Sequence, residues 1–189
     1  MDFVRSHGYP VPEVFEVSDD GSDLVMERID GPTMVDAGSA RPWNLRRFGS
    51  QLADLHQALH RMPAPAWVAD APCGRGDRLL HMDLHPLNVL MANGGPVVID
   101  WTNAVRGDPA VDVALTWALI ASGEVPTGRA KAAVLGMGRR VLLDAFLKPV
   151  LDDDCRAILG EVVEWKSTDP NMSAAEIKRM RALVRSVGN

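Results

Sequence analysis

The most restrictive stretch of this 189-residue chain is His81-Met82-Asp83-Leu84-His85-Pro86-Leu87-Asn88, followed by Val89-Leu90-Met91, Ala92-Asn93-Gly94-Gly95 and Val97-Val98-Ile99-Asp100-Trp101. Asn-Gly between two apolar runs is a strong hairpin signal. Residues 89–91 and 97–99 are therefore expected to be antiparallel strands that turn at Asn93-Gly94. In that register Asn88 lies nearly opposite Ile99 and Asp100, and cross-strand neighbours sit about 5 Å apart. Two oxygen ligands at that separation can share one hard cation, or hold two bridged by phosphates. Asp83 is on the loop that enters the same end. An acid able to orient and deprotonate a hydroxyl, with an amide and a second acid able to hold Mg2+ against nucleotide phosphates, is what phosphoryl transfer requires. A D-x-x-x-x-N fragment alone carries little weight, because Asp and Asn are common turn formers. The whole string, with strand, turn, strand and closing Asp, is far more restrictive.

His81, Asp83 and His85 also spell H-x-D-x-H, which on a strand would put three ligands of a transition metal on one face. Pro86 breaks any strand just after His85, and the remaining histidines, His7, His56 and His60, all lie upstream. A transition-metal site is set aside on those grounds.

On the N-terminal side, Leu45, Phe48, Leu52, Leu55 and Leu59 recur at spacings of three and four, so residues 43–62 are expected to be an amphipathic helix. Pro63 and Pro65 end it. His56 and His60 are expected at a solvated or boundary position on that helix. Residues 63–78 read as a loop. Residues 1–34 read as β: Val14–Val17, a turn of Ser18-Asp19-Asp20-Gly21-Ser22-Asp23, and Leu24–Ile29, with Gly31-Pro32 ending the pattern. Downstream, helices are expected over roughly 110–122, 128–148, 152–166 and 173–187, the last opened by the capping box Ser173-Ala174-Ala175-Glu176. Gly136-Met137-Gly138 lies inside a helical stretch and reads as a close helix-packing position.

The length suits one domain with a small appendage, in which folding removes about 70% of the unfolded chain's surface from water. Hydrophobic content of 47% and charged content of 24% are ordinary for a soluble protein. The net charge of -5 argues against nucleic acid as the main partner. No apolar run approaches the ~20 residues of a membrane span, and the first residues show no leader-like apolar core. Two cysteines, Cys73 and Cys155, form no C-x-x-C pair and read as reduced thiols of a cytoplasmic protein.

Residues 81–114 resemble the core of the aminoglycoside phosphotransferase family, small-molecule kinases related to choline kinases and to the protein-kinase fold. The catalytic loop H-G-D-x-H-x-x-N of that family is similar to His81–Asn88. Its I-D-W/F segment is similar to Ile99-Asp100-Trp101, and its G-D-P-x-x-D-x-A segment to Gly107-Asp108-Pro109-Ala110-Val111-Asp112-Val113-Ala114. Leu52–His60 resembles the helix before the loop, and Asp169-Pro170-Asn171 resembles a recurring C-terminal turn. The likeness runs from about Val11 to the end and is specific in the middle third.

The resemblance implies an α+β fold. Residues 35–189 would be a protein-kinase-like C-terminal lobe, mostly helical with a short catalytic hairpin. Residues 1–34 would be a remnant of the N-terminal lobe and hinge. It implies Asp83 as catalytic base, with His81 and Asp112 bracing the loop, and Asn88 and Asp100 as Mg2+ ligands. Glu27, Arg28 and Ile29, after Met26, would be the hinge that meets the adenine of ATP. The last four helices would shape the pocket for a small hydroxyl-bearing acceptor, cationic ones included. Asp152, Asp153, Asp154, Glu161 and Glu164 could face such a cation, although a solvated helix face is the plainer reading. No nucleic acid or membrane partner is implied. Met82 and Leu87 stand where the family often has Gly, and their bulk is expected to narrow the acceptor site.

No lysine occurs before Lys131, and the only glycines before the hinge are Gly8 and Gly21. The phosphate-gripping lysine and Gly-rich loop of such kinases are thus expected to be missing. Two functions stay open: a small-molecule phosphotransferase, or a kinase-fold protein that binds a ligand or partner without turnover. The short hairpin should leave a sheet edge and an apolar face, and edges of that kind invite pairing. A homodimer through residues 1–34 is expected.

Overall fold

The computed structural model describes residues 1–20, 23–123 and 129–188, with backbone only for 129–135. The chain begins with a short helix α1 (Asp2–Ser6), then strands β1 (Val14–Val17) and β2 (Leu24–Met26), helix α2 (Met34–Ala40), a 3-10 turn at Pro42–Asn44 and helix α3 (Leu45–His60). Four short strands follow, β3 (Arg78–Leu80), β4 (Val89–Ala92), β5 (Gly95–Val98) and β6 (Val105–Gly107). Helices α4 (Pro109–Ser122), α5 (Arg129–Val150), α6 (Asp153–Lys166) and α7 (Ala174–Val187) complete the chain. The strands pair antiparallel in three two-stranded sheets, β1 with β2, β3 with β6 and β4 with β5.

The expected helices are present, and Ser173 and Glu176 form the capping box at α7. Four elements were not foreseen, one of them strand β3, whose Arg78 falls in the expected loop. Residues 1–34 are not all β, because α1 folds Val4 into the core. At five residues it is too short to show a helical period. Helix α2 starts where Thr33 accepts from the Asp36 N–H. Strand β6 is three residues long and finds its partner β3 across the intervening hairpin. The second N-terminal strand stops at Met26 rather than running to Ile29. Gly21 and Ser22 of the turn, and Gly128 of the expected 128–148 helix, lie outside the described residues.

Two apolar clusters hold these elements. The first joins Val4, Tyr9 and Val11 to Leu52, Leu55 and Leu59 of α3, Val89 and Val98 of the hairpin and Phe146 of α5. The second joins Leu80 and Met82 to Val111 and Leu115 of α4, Leu159, Val162 and Val163 of α6 and Met180 of α7. Each fully buried Leu or Phe contributes about 1.5–3 kcal/mol relative to exposure. The His81–Asn88 stretch therefore runs between two packed layers. Residues 10 and 32 reach the hairpin by backbone, Pro10 O accepting from Val98 and Pro32 O from Met91.

Helices α3 and α5 cross at Gly49, where a Cβ would collide with the Leu142 carbonyl and lie 2.8 Å from the Ala145 methyl. The Gly136-Met137-Gly138 stretch divides. A Cβ at Gly138 would lie 3.0 Å from Leu45, whereas no described atom comes within 4 Å of one at Gly136. Gly49→Val should therefore lower stability in urea unfolding by about 1–3 kcal/mol through overpacking. Gly136→Ala, in an open helical position, should raise it by up to about 1 kcal/mol.

Candidate active site

The β4–β5 pair turns at Asn93-Gly94 with Val89 opposite Val98 and Ala92 opposite Gly95. One step beyond, the Ile99 N–H donates to the Asn88 carbonyl at 3.0 Å, so Asn88 faces Ile99 as the spacing predicted. The Asn88 side-chain amide donates to both the carbonyl and the Oδ2 of Asp83, each at 3.0 Å. His85 Nε2 lies 3.3 Å from Asp83 Oδ1. Asp100 follows Ile99 in a left-handed conformation, φ 62°, with an exposed side chain whose Oδ1 accepts from Thr102 at 2.9 Å. Asp83, Asn88 and Asp100 thus share the open end of the hairpin. Burial pushes the Asp83 carboxyl up, but the His85 hydrogen bond and the charges of His85 and Lys166 outweigh it, and the group sits below its ordinary value. It is ionised at neutral pH, the form that accepts a hydroxyl hydrogen bond.

His81 is fully buried, and its Nε2 lies 3.1 Å from the Ile99 carbonyl. Burial lowers its pKa despite the nearby Asp112. The neutral ring therefore donates from Nε2 to Ile99 and ties the loop to the end of β5. Trp101 covers it, with ring centroids 4.6 Å apart. The Nδ1 atom is buried with no partner. Its ring bonds Ile99 while the His85 ring bonds Asp83, so the two histidines face different partners.

The loop's backbone is held from α4. Asp112, fully buried one turn into the helix, accepts from the His81 N–H at 3.0 Å and the Met82 N–H at 2.8 Å. His60 Nε2 is 3.1 Å from the same carboxylate. Burial opposes the charge, but these bonds hold the Asp112 carboxyl far below the usual range. Asp112 also holds Met82 at φ 61°, a conformation that costs a non-glycine residue about 1–3 kcal/mol. The expectation that Met82 narrows the acceptor site is corrected: its side chain is 1% exposed and belongs to the second core cluster. Leu87 is exposed.

The solvated or boundary position expected for the two histidines fits His60, which is half-buried, and is corrected for His56. His56 is fully buried, with Nδ1 2.9 Å from the Leu52 carbonyl and Nε2 3.0 Å from Thr116 Oγ1. Thr116 Oγ1 is in turn 2.9 Å from the Leu84 carbonyl. His56 lies one turn beyond Leu52 on the apolar stripe, the signal that could have placed it inside. Three of the acidic residues considered for a cationic acceptor have partners of their own: Asp152 caps α6 at Cys155, Asp153 pairs with Arg156 and Glu164 with Arg181. Glu161 lines a cleft of about 710 Å³ with residues 70–77 and Arg106.

Glu27, Arg28 and Ile29 follow β2, with Glu27 and Arg28 exposed. The Glu27 N–H is bonded to the Glu13 carbonyl at 2.7 Å, and Arg28 pairs with Asp30. Thr33 bridges to Leu90, and a Cβ at Gly31 would press on the Met91 backbone. The chain that follows them, Gly31 to Thr33, therefore reaches the turn half of β4.

His56 releases its proton near pH 4 in the folded chain because burial disfavours its charge, against about 6.5 when unfolded. Between those values the unfolded state binds the extra proton. Stability is therefore complete above pH 6.5 and falls as pH drops toward 4, by on the order of 3 kcal/mol. His81 acts in the same direction, and protonation of Asp112 removes more stability at still lower pH. Urea unfolding across this range should show the slope, and His56→Gln should flatten it.

Residues 61–140 match the model of the phosphotransferase enzyme family. The structure is similar to that of an aminoglycoside-3'-phosphotransferase of type VIII, with TM-score 0.57 and 18% identity over 98% of this chain and 77% of that one. A ternary complex of a thermostable mutant of aminoglycoside phosphotransferase APH(4)-Ia with AMP-PNP and hygromycin B gives 0.55 and 17% over 97% and 80%. A microcompartment-associated aminopropanol kinase gives 0.51 and 15% over 98% and 76%. Comparison with curated proteins finds no match. The segment from Arg61 to Arg140, which contains Asp83, Asn88, Asp100 and Asp112, thus carries the pattern of the phosphotransferase enzyme family, on a chain with the protein-kinase-like fold of the aminoglycoside phosphotransferases and related small-molecule kinases.

Proposed function

We propose that the chain moves the γ-phosphoryl group of ATP to a hydroxyl of a small molecule. The observation that carries this reading is the shared end of the hairpin, where Asn88 bonds Asp83 and Asp100 follows the residue opposite Asn88. Asp83 is the catalytic base, with His81 a positioning residue that holds the loop to Ile99. The oxygens of Asn88 and Asp100 are hard donors at one strand end and fit Mg2+. When bound there, that ion supplies positive charge against the nucleotide phosphates. Glu27, Arg28 and Ile29 face the adenine. Since the Glu27 N–H is already bonded, the remaining backbone groups of this segment would meet the base.

The alternative, a kinase-fold protein that binds a ligand or partner without turnover, predicts binding with no phosphoryl transfer. Calorimetry with Mg2+-ATP tests the first reading: the chain should bind, and Asp100→Asn should not. Asp83→Asn should still bind the nucleotide while lowering transfer about 10²–10⁴-fold. Absence of binding to the unaltered chain would contradict the proposal.

We also propose a cytoplasmic location, since both cysteines are free and buried, and no described helix is long and apolar enough to cross a membrane. A homodimer through residues 1–34 is supported by Phe15, Val17, Leu24, Val25 and Met26, all exposed on one small hairpin. Light scattering should show a mass rising with concentration above 20.5 kDa, and Phe15→Lys should abolish the rise. A constant monomer mass would contradict the dimer.

A further inference from the structure

Of the two histidines in the His81–Asn88 stretch, His81 is tied to Ile99, and His85 has no part in the reading above. The His85 ring is contacted at both nitrogens. Its Nδ1 accepts the Leu87 N–H at 3.3 Å. A ring nitrogen that accepts carries no hydrogen, so in the neutral ring the N–H sits on Nε2. That nitrogen lies 3.3 Å from Asp83 Oδ1. The backbone closes the same turn, since the His85 N–H donates to the Asp83 carbonyl and the His85 carbonyl accepts from the Asn88 N–H, both at 2.9 Å. Pro86 between them is buried, and its fixed φ stiffens the turn that brings the Leu87 N–H back to the ring.

Asp83 therefore has a donor beside each carboxylate oxygen. The Asn88 amide donates to Oδ2 at 3.0 Å, and His85 Nε2 faces Oδ1. The terminal torsion of an Asp side chain is broad, so one donor leaves the carboxylate free to turn. Donors on both oxygens fix its plane. A contact of 3.3 Å is long for a hydrogen bond, but catalytic hydrogen bonds often tighten only in the reacting complex.

We propose that His85 is a positioning residue for the phosphoryl transfer: its Nε2–H orients the Asp83 carboxylate, and the Leu87 N–H selects the tautomer that lets it do so. The inference rests on the phosphotransferase reading above. In that reaction the acceptor oxygen forms the new bond to the γ-phosphorus and the bond to the β,γ-bridging oxygen breaks. Its electron pair leaves with ADP, and the hydroxyl proton passes to Asp83. His85 exchanges no atom; it keeps the carboxylate turned toward the hydroxyl. A reacting group displaced by about 1 Å can cost about 10²-fold in rate.

Two substitutions separate the contacts of the ring. Asn places its carbonyl oxygen where Nδ1 was, so it keeps the Leu87 bond and is too short to reach Asp83. Gln places its amide NH2 where Nε2 was, so it keeps the Asp83 contact and gives up the Leu87 bond. The probe is Mg2+-ATP, with water as the acceptor. His85→Asn should bind the nucleotide in calorimetry as the unaltered chain does, and hydrolyse it about 10²-fold more slowly. His85→Gln should recover most of that loss. The chain has five histidines, so NMR of the labelled rings gives few signals, and His85→Gln assigns one. At about pH 8, where an ordinary histidine is neutral, the His85 ring should carry its hydrogen on Nε2. Asp83→Asn should move that Nε2–H signal.

A ring hydrogen on Nδ1, or an Nε2–H signal that Asp83→Asn leaves in place, would overturn the proposal. Equal loss of hydrolysis in His85→Asn and His85→Gln would do the same, because it marks a role through the turn. Undiminished hydrolysis in His85→Asn overturns this inference alone. Failure of the unaltered chain to bind Mg2+-ATP overturns the phosphotransferase reading and this inference with it. Where the chain binds nucleotide without measurable hydrolysis, the ring signals decide.

Discussion

One buried carboxylate organises the site. Asp112 takes the N–H groups of His81 and Met82 on its two oxygens and a third bond from His60. A carboxylate in that position costs several kcal/mol of lost hydration. The cost is offset because two backbone N–H groups that would otherwise be buried unpaired are satisfied, each worth about 1–3 kcal/mol. The same bonds keep Met82 in a left-handed conformation that its side chain disfavours. With the backbone reversed there, Met82 enters the core while its neighbour Asp83 remains partly exposed at the hairpin end.

Function follows from fixing three short pieces relative to each other. The Asn93-Gly94 turn sets the register that puts Asn88 beside Ile99. His81 ties the loop to the Ile99 carbonyl, and Thr116, next to His56, holds the Leu84 carbonyl. The side chains of Asp83 and Asn88 stay partly exposed and that of Asp100 exposed on this scaffold. Phosphoryl transfer asks for positioning and charge compensation more than for covalent chemistry. A rigid, internally hydrogen-bonded support with a few exposed oxygens suits that demand. Rigidity comes at a pH-dependent cost, because the buried histidines resist protonation that the unfolded chain accepts.

Much of this was legible in the residues. The hairpin could be read from Asn-Gly between apolar runs, α7 from its capping box, and α3 from a leucine stripe, because each depends on neighbours close in sequence. Strand β6 and helices α1 and α2 were not, being too short for a period or made by distant partners. His56 was assigned to a boundary because a polar residue on a helix usually faces water. Its burial depends on Thr116, 60 residues away. Met82 could be seen to differ from a family glycine, but whether it pointed to the pocket or the core was settled only by its backbone angle.

Native-state hydrogen exchange at the His81 and Met82 amides tests the central role of Asp112 most directly. If the carboxylate anchors the loop, both amides should exchange only through opening nearly as costly as global unfolding, like the core of α4. Exchange as fast as in the 63–77 loop would show that the bonds to Asp112 do not hold the His81–Asn88 segment, and would contradict the account.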